Sequence, residues 1–175
     1  MLTWLPLWEN WGFAASLYGQ AKYFLTSAKR SAVNEQEGLI RASIVFFLMS
    51  LEAYFFAEII KGYLQKNDAT LDPVKVKKIQ DGLLKHTGFR KAIQTWPTVL
   101  TGRPLIQTSA YSNFVRFVEY RNCLLHGKIT ERIPSWRKLA QEVETINNCE
   151  LAQKTVSEVV AMTAQHFGFD VPTWV

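Results

Sequence analysis

The chain has 175 residues, of which 48% are hydrophobic and 13% aromatic, enough to form the core of one domain. The 20 Lys and Arg against 15 Asp and Glu give a net charge of +5, which is compatible with an acidic or nucleic-acid partner without requiring one. Two cysteines, Cys123 and Cys149, are too few for the disulfide framework of a small secreted protein. No signal peptide is visible, so we expect a soluble, cytoplasmic domain.

The positive charge is concentrated in the middle of the sequence. Between Lys61 and Arg103 there are nine Lys or Arg against three Asp, a local charge of +6, which leaves −1 for the rest of the chain. A patch of this size is most often a solvated helix face. It would also suit contact with a polyanion backbone.

The segment from Leu39 to Ile60 is 22 residues long and mostly apolar, so a membrane span has to be considered. Arg41, Glu52 and Glu58 lie inside it, and each central charge would cost about 2.5–3.5 kcal/mol in a bilayer. We therefore expect a buried core helix and no membrane partner.

In chain order, apolar periodicity and stop signals predict helices over 13–33, 37–65, 73–85, 89–100, 109–126 and 149–167, with a short helix over 135–143. Asp72 is the expected N-cap of the third helix, with Pro73 at its first position. Gly127 and Gly168 should end the fifth and the last helix. Since no segment alternates as a strand, we predict one all-α domain over 1–175, a four-helix core with additional short helices within about 13–167.

The fifth predicted helix carries a cation in its apolar stripe. On a helical wheel Arg121 falls in the middle of the stripe that contains Phe114 and Phe117. Asn122 and His126 are neighbours at i, i+4 on the border of that stripe. An unpaired buried charge costs several kcal/mol, so Arg121 needs a partner or a polar cleft.

Glu52 is the candidate partner, because it is itself a charge on the apolar stripe of the long second helix, and Arg41 lies on the same stripe. We expect Glu52 to be largely buried and hydrogen-bonded to Arg121 or Arg41. A buried Arg121–Glu52 pair would either fix helix register only or belong to a functional polar cleft. Both interpretations stay open at this point.

Three histidines, His86, His126 and His166, each precede a glycine at a predicted helix end. Histidine is favoured there because its protonated ring interacts well with the negative end of the helix dipole. Taken alone, His126 is therefore a capping residue. It differs from the other two in having an Arg-Asn pair four and five residues upstream.

The pattern Arg121-Asn122-x-x-x-His126 near the end of a late helix resembles the signature of the HEPN superfamily, nucleotide-binding and RNA-cleaving helical domains of prokaryotes and higher eukaryotes. The second helix, with Glu52 in its apolar face, is similar to the early HEPN helix that carries an acidic residue. The resemblance covers residues from about 13 to 167, and these two stretches are its specific parts. It implies a HEPN-like helical bundle.

This resemblance implies a metal-independent endoribonuclease, of toxin or defence type, in which Arg121, Asn122 and His126 are catalytic and Glu52 supports them. It implies RNA as substrate, no cofactor, no metal, and a homodimer that places two copies of the motif around one phosphate. An antitoxin or another partner protein would fit such a role. However, Lys128 stands where toxins paired with a nucleotidyltransferase antitoxin often carry a tyrosine.

Other classes have less support in the sequence. Cys123 and His126 are only two potential metal ligands, and Cys123 has no oriented acid partner that would make it a nucleophile. The serious alternative is a non-catalytic HEPN-like module that dimerises or binds a protein or nucleotide. Trp4, Trp8 and Trp11, at i, i+4 and i+7, would give such a module one adhesive face, although core packing explains them as well.

Overall fold

The structure is a computed structural model that describes residues 12–67, 69–85, 88–105, 108–125 and 139–175. These ranges contain helices and turns but no strand, which confirms the all-α prediction. The long helices are α1 (Phe13–Arg30), α2 (Val33–Lys66), α3 (Pro73–Leu84), α4 (Phe89–Thr101), α5 (Ser109–Leu125) and α6 (Ile146–Phe167). Residues 139–143 add a helical turn before α6.

Helices α1, α2, α5 and α6 form the core of the bundle, and each contacts at least two of the others. Helix α4 packs against α6, while α3 packs against α4 and lies at the periphery. Among the described residues, the five largest fully buried side chains are all aromatic and come from α2 and α5: Phe47, Phe55, Phe114, Phe117 and Tyr120. The predicted helical bundle is therefore present.

Helix α2 is continuous from Val33 to Lys66, and its segment Tyr54–Ile60 is a π-helix. The wider turn of a π-helix changes which side chains share a face, and Tyr54, Phe55, Ile59 and Ile60 are all buried there. By length and composition α2 could cross a membrane, but 61% of its most apolar window is buried inside the protein. Core helices commonly have this composition.

Local signals account for several helix ends. Asp72 accepts a hydrogen bond from the backbone N–H of Val74 at 2.8 Å, with Pro73 in the first turn of α3, as predicted. Thr145 caps α6, which begins at Ile146, three residues before the predicted start at 149. Gly168 ends α6 with a φ of 71°, a left-handed conformation that glycine adopts without strain. The predicted stop at Gly127 and the predicted short-helix start at 135 lie outside the described residues.

The segment after α6 folds back over α1 and α2. Trp174 packs edge-on against Tyr18 and Tyr54, with ring centroids 5.2 and 5.7 Å apart. The ring of Phe169 lies on Gly62, where a Cβ would come within 3.4 Å of it. The apolar core thus extends past residue 167, the predicted end of the core.

Candidate active site

Arg121 lies near the C-terminal end of α5 and is only 7% exposed. Its Nη1 donates to Oε2 of Glu52 on α2, in an ion pair between residues 69 positions apart in sequence. The predicted pairing of Glu52 with an arginine is therefore confirmed, and the arginine is Arg121. The Glu52 side chain is 26% exposed, more than predicted, because it lies at the edge of the core.

Asn122 completes the arrangement around Arg121. Its Oδ1 accepts from Nε of Arg121 at 3.3 Å and from Nη2 at 3.0 Å. Together with the bond to Glu52, these contacts occupy three of the five guanidinium N–H groups. Within the described part of the chain, two guanidinium N–H groups, Oε1 of Glu52 and the Nδ2 amide group of Asn122 make no hydrogen bond.

The structure thus brings together three of the four predicted site residues: Glu52, Arg121 and Asn122. The fourth, His126, lies outside the described residues, as do Lys128 and the three tryptophans proposed as an adhesive face, Trp4, Trp8 and Trp11. The i, i+4 relation between Asn122 and His126 stays a prediction.

A second polar cluster, which the sequence did not predict, surrounds Glu144. Its Oε1 accepts from Nε of Arg41 and from the hydroxyl of Tyr120, both at 2.8 Å, and its Oε2 accepts from Nη2 of Arg41 at 3.0 Å. Arg41 also pairs with Glu37 one turn away. The hydrogen bond to Glu144 raises the pKa of Arg41, and burial raises the pKa of Tyr120. Arg41 is therefore not the partner of Glu52.

Tyr120 was missed because helical periodicity places it at about 240° from Phe114, outside the apolar stripe. It is nevertheless fully buried, since Glu144 satisfies its hydroxyl. The signal for this contact in the sequence is the charge of Arg41 on a core-facing stripe, for which Glu144, just before the last helix, is a second possible partner besides Glu52.

His166, another of the three histidines at predicted helix ends, has a hydrogen-bond partner in the structure. It lies in the last turn of α6, and its Nε2 is 2.9 Å from the hydroxyl of Thr101 at the end of α4. Burial lowers the pKa of His166, and the nearby Arg103 lowers it further. His166 therefore joins the C-terminal ends of α6 and α4.

Neither thiol forms a disulfide: Cys123 is half-buried and Cys149 is buried. In the described ranges, no three His, Cys, Asp or Glu side chains are grouped so that they could hold a metal ion. The chemistry available among these residues is therefore that of a fixed cation beside amide and carboxylate groups.

Comparison of the chain with protein-family models, with curated proteins and with solved structures found no match. The resemblance to the HEPN superfamily rests on the residues themselves: Arg121, Asn122 and His126 on one stretch and Glu52 on the other.

Proposed function

We propose that the chain is a HEPN-like, metal-independent endoribonuclease whose catalytic residues are Arg121, Asn122 and His126. The observation that carries this proposal is the contact of Arg121 with both Glu52 and Asn122. That contact joins the two stretches on which the resemblance depends, although they lie in different helices. Joining them is what a common site on α2 and α5 requires.

Arg121 would stabilise the charge that develops on the phosphate. A donor held in place before the reaction loses little energy in reorganisation, so fixed donors contribute more to catalysis than mobile ones. Glu52 and Asn122 fix the guanidinium plane through three hydrogen bonds. The two remaining N–H groups are then free to bind nonbridging phosphate oxygens.

His126 would act as general acid and base. The ribose 2′-oxygen attacks phosphorus, the bond from phosphorus to the 5′-oxygen breaks, and the products are a 2′,3′-cyclic phosphate and a 5′-hydroxyl. One histidine takes the proton from the 2′-hydroxyl, and a second gives a proton to the departing 5′-oxygen. Because one chain supplies one suitable histidine, we propose a homodimer with both His126 side chains in a shared cleft.

The competing function is a non-catalytic helical module, and one observation favours it. Arg121 is 7% exposed and already ion-paired, so the pair can hold α2 and α5 in register without any ligand. Such a module would bind a second chain, a protein or a nucleotide, and would leave RNA intact.

A nuclease assay separates the two functions. The purified protein is incubated in EDTA with single-stranded RNA and, as a matched control, with DNA of the same sequence, which lacks the 2′-hydroxyl. We expect cleavage of RNA only, with 2′,3′-cyclic phosphate ends. Sedimentation at micromolar concentration should show a dimer. Varied RNAs left uncut would favour the non-catalytic module, and a monomer would contradict the shared cleft.

A further inference from the structure

Helix α3 is attached to the bundle by a narrow face. Of its residues only Ile79 is buried, while Val76 and Leu83 pack partly against the core. Its neighbour is α4, and it does not pack among the four core helices. Most of the α3 surface therefore faces solvent.

The outward face of α3 is basic. A shallow surface depression runs along it, lined by Val74, Lys77, Lys78, Asp81, Gly82 and Lys85. These positions follow the i, i+3, i+4 spacing of a single helix face. Lys77, Lys78 and Lys85 are all exposed, so their ammonium groups are accessible to a ligand.

These three lysines have no carboxylate within ion-pair distance in the described ranges, although Asp81 is four residues from both Lys77 and Lys85. Among the other described lysines, Lys29 pairs with Glu150 on α6 and Lys154 pairs with Glu158 one turn away, while the rest form no salt bridge. The α3 face differs in that three unpaired lysines surround one depression. Solvated helices usually gain a few tenths of a kcal/mol from such pairs, and neighbouring like charges lose about as much. The α3 face therefore carries cations whose repulsion an anionic ligand would relieve.

We propose that this face, Lys77, Lys78 and Lys85 around the depression at Gly82, binds the sugar-phosphate backbone of single-stranded RNA. The inference rests on the proposed function and adds a binding surface separate from the Arg121 site. Lysines act as point charges that bind phosphate without reading sequence. Val74, which is 74% exposed at one end of the depression, offers a base an apolar contact.

A membrane surface fits this face less well. A helix that lies in a bilayer interface needs a broad apolar face opposite its charges. On α3 the exposed large apolar residues are only Val74 and Leu84. The other apolar positions of the helix, Val76, Ile79 and Leu83, pack toward the protein.

The test compares two triple variants that change the net charge equally. One replaces Lys77, Lys78 and Lys85 with Ala, and the other replaces Lys22, Lys29 and Lys154, on α1 and α6, with Ala. Affinity for labelled single-stranded RNA is measured at several salt concentrations, in a His126→Ala background that keeps the RNA intact, with circular dichroism as the folding control. We expect the α3 variant to bind about 10–100-fold more weakly and its log–log salt slope to fall by about 2.

Unchanged binding by the α3 variant, or equal losses in both triple variants, would overturn the inference. Polyglutamate binding as tight as RNA binding would also overturn it, in favour of an acidic protein partner. If RNA binds through α3 but the wild type leaves it uncut, the nuclease proposal fails and this inference stands. If the wild type cuts RNA while the α3 variant keeps full affinity, this inference fails and the nuclease proposal stands.

Discussion

In the part of the chain that the structure describes, two arginine–carboxylate pairs link α2 to the rest of the bundle, and the buried partner is a different one in each. In the pair of Arg41 with Glu144 the carboxylate is the buried partner, with side-chain exposures of 39% for Arg41 and 8% for Glu144. In the pair of Arg121 with Glu52 the arginine is the buried partner, with exposures of 8% and 26%.

The hydrogen bonds of the two pairs differ at the carboxylate. Both oxygens of Glu144 accept bonds, from Arg41 and from Tyr120, so that carboxylate is fully satisfied. In the described part of the chain Oε1 of Glu52 accepts no bond. Each arginine keeps two N–H groups without a bond there, Arg41 both on Nη1 and Arg121 one on Nη1 and one on Nη2. We propose that the Glu144 cluster stabilises the fold only, while the N–H groups of Arg121, which lie beside Asn122 and the unbonded Oε1 of Glu52, bind the ligand. Variants of the two pairs can separate a role in stability from a role in cleavage.

Among variants of the two pairs, the largest effect on the cleavage rate should come from Arg121→Ala. Removing a preorganised donor to the transition-state oxyanion costs about 10²–10³-fold in rate, and we expect that loss in single-turnover RNA cleavage. Arg121→Lys should not restore the rate, because an ammonium group cannot make the same planar set of bonds to Glu52 and Asn122. The melting temperature is measured beside the rate. Full activity in a folded Arg121→Ala protein would contradict the role of Arg121.

Arg41→Ala should lower the stability of the fold and leave the cleavage rate nearly unchanged. It leaves the buried carboxylate of Glu144 without its cation, and an uncompensated charge of this kind costs about 2–4 kcal/mol once the partial exposure of Arg41 is considered. Urea unfolding measures the loss. Cleavage per folded molecule should stay within about twofold of wild type, since Arg41 does not act on the phosphate. A rate loss as large as that of Arg121→Ala would abolish the distinction between the two pairs.

Glu52→Gln should lower the cleavage rate less than Arg121→Ala does, and the stability less than Arg41→Ala does. The amide oxygen can still accept from Arg121, but the buried cation loses its countercharge, so we expect about 1–3 kcal/mol of destabilisation. As a positioning residue, Glu52 should affect kcat, by about tenfold, and leave KM unchanged. Glu37→Gln, at the exposed partner of Arg41, is the matched control. Equal kcat values for the two variants would mean that Glu52 has a structural role only.

The smallest effect concerns Cys149, which is buried near the start of α6. Burial raises the pKa of its thiol from about 9 to about 11, so the folded state favours the neutral form. Its contribution to stability is complete below pH 9 and is lost as the pH rises toward 11. The melting temperature of the wild type should therefore fall more steeply over this range than that of Cys149→Ala. Melting temperatures that fall equally with pH in the two proteins would contradict this prediction.

Much of the fold follows from the sequence, because each helix has its own periodicity and end signals. The predicted and observed bounds of α3, 73–85 and Pro73–Leu84, differ by one residue, since Asp72 and Pro73 define its start. The pairing of Glu52 was predictable for another reason. A charge on an apolar stripe needs a partner, and few partners were available.

Other features have no local signal. Periodicity does not distinguish the π-helical segment Tyr54–Ile60 from the α-helix around it. Glu144 lies between two helical segments, where wheel arguments do not apply, so its contacts with Arg41 and Tyr120 depend on tertiary packing. The packing of Trp174 against Tyr18 likewise has no local signal, because the two residues are far apart in sequence.

The role of His126 is the central claim, and single-turnover cleavage of single-stranded RNA in EDTA tests it most directly. Three proteins are compared: the wild type, His126→Ala, and His166→Ala, the matched control in which the removed histidine is bonded to Thr101. We expect His126→Ala to cleave about 10²–10⁴-fold more slowly, the usual effect of losing a general acid–base group, with its melting temperature little changed. His166→Ala should cleave at the wild-type rate. Cleavage by His126→Ala as fast as by wild type would contradict the account.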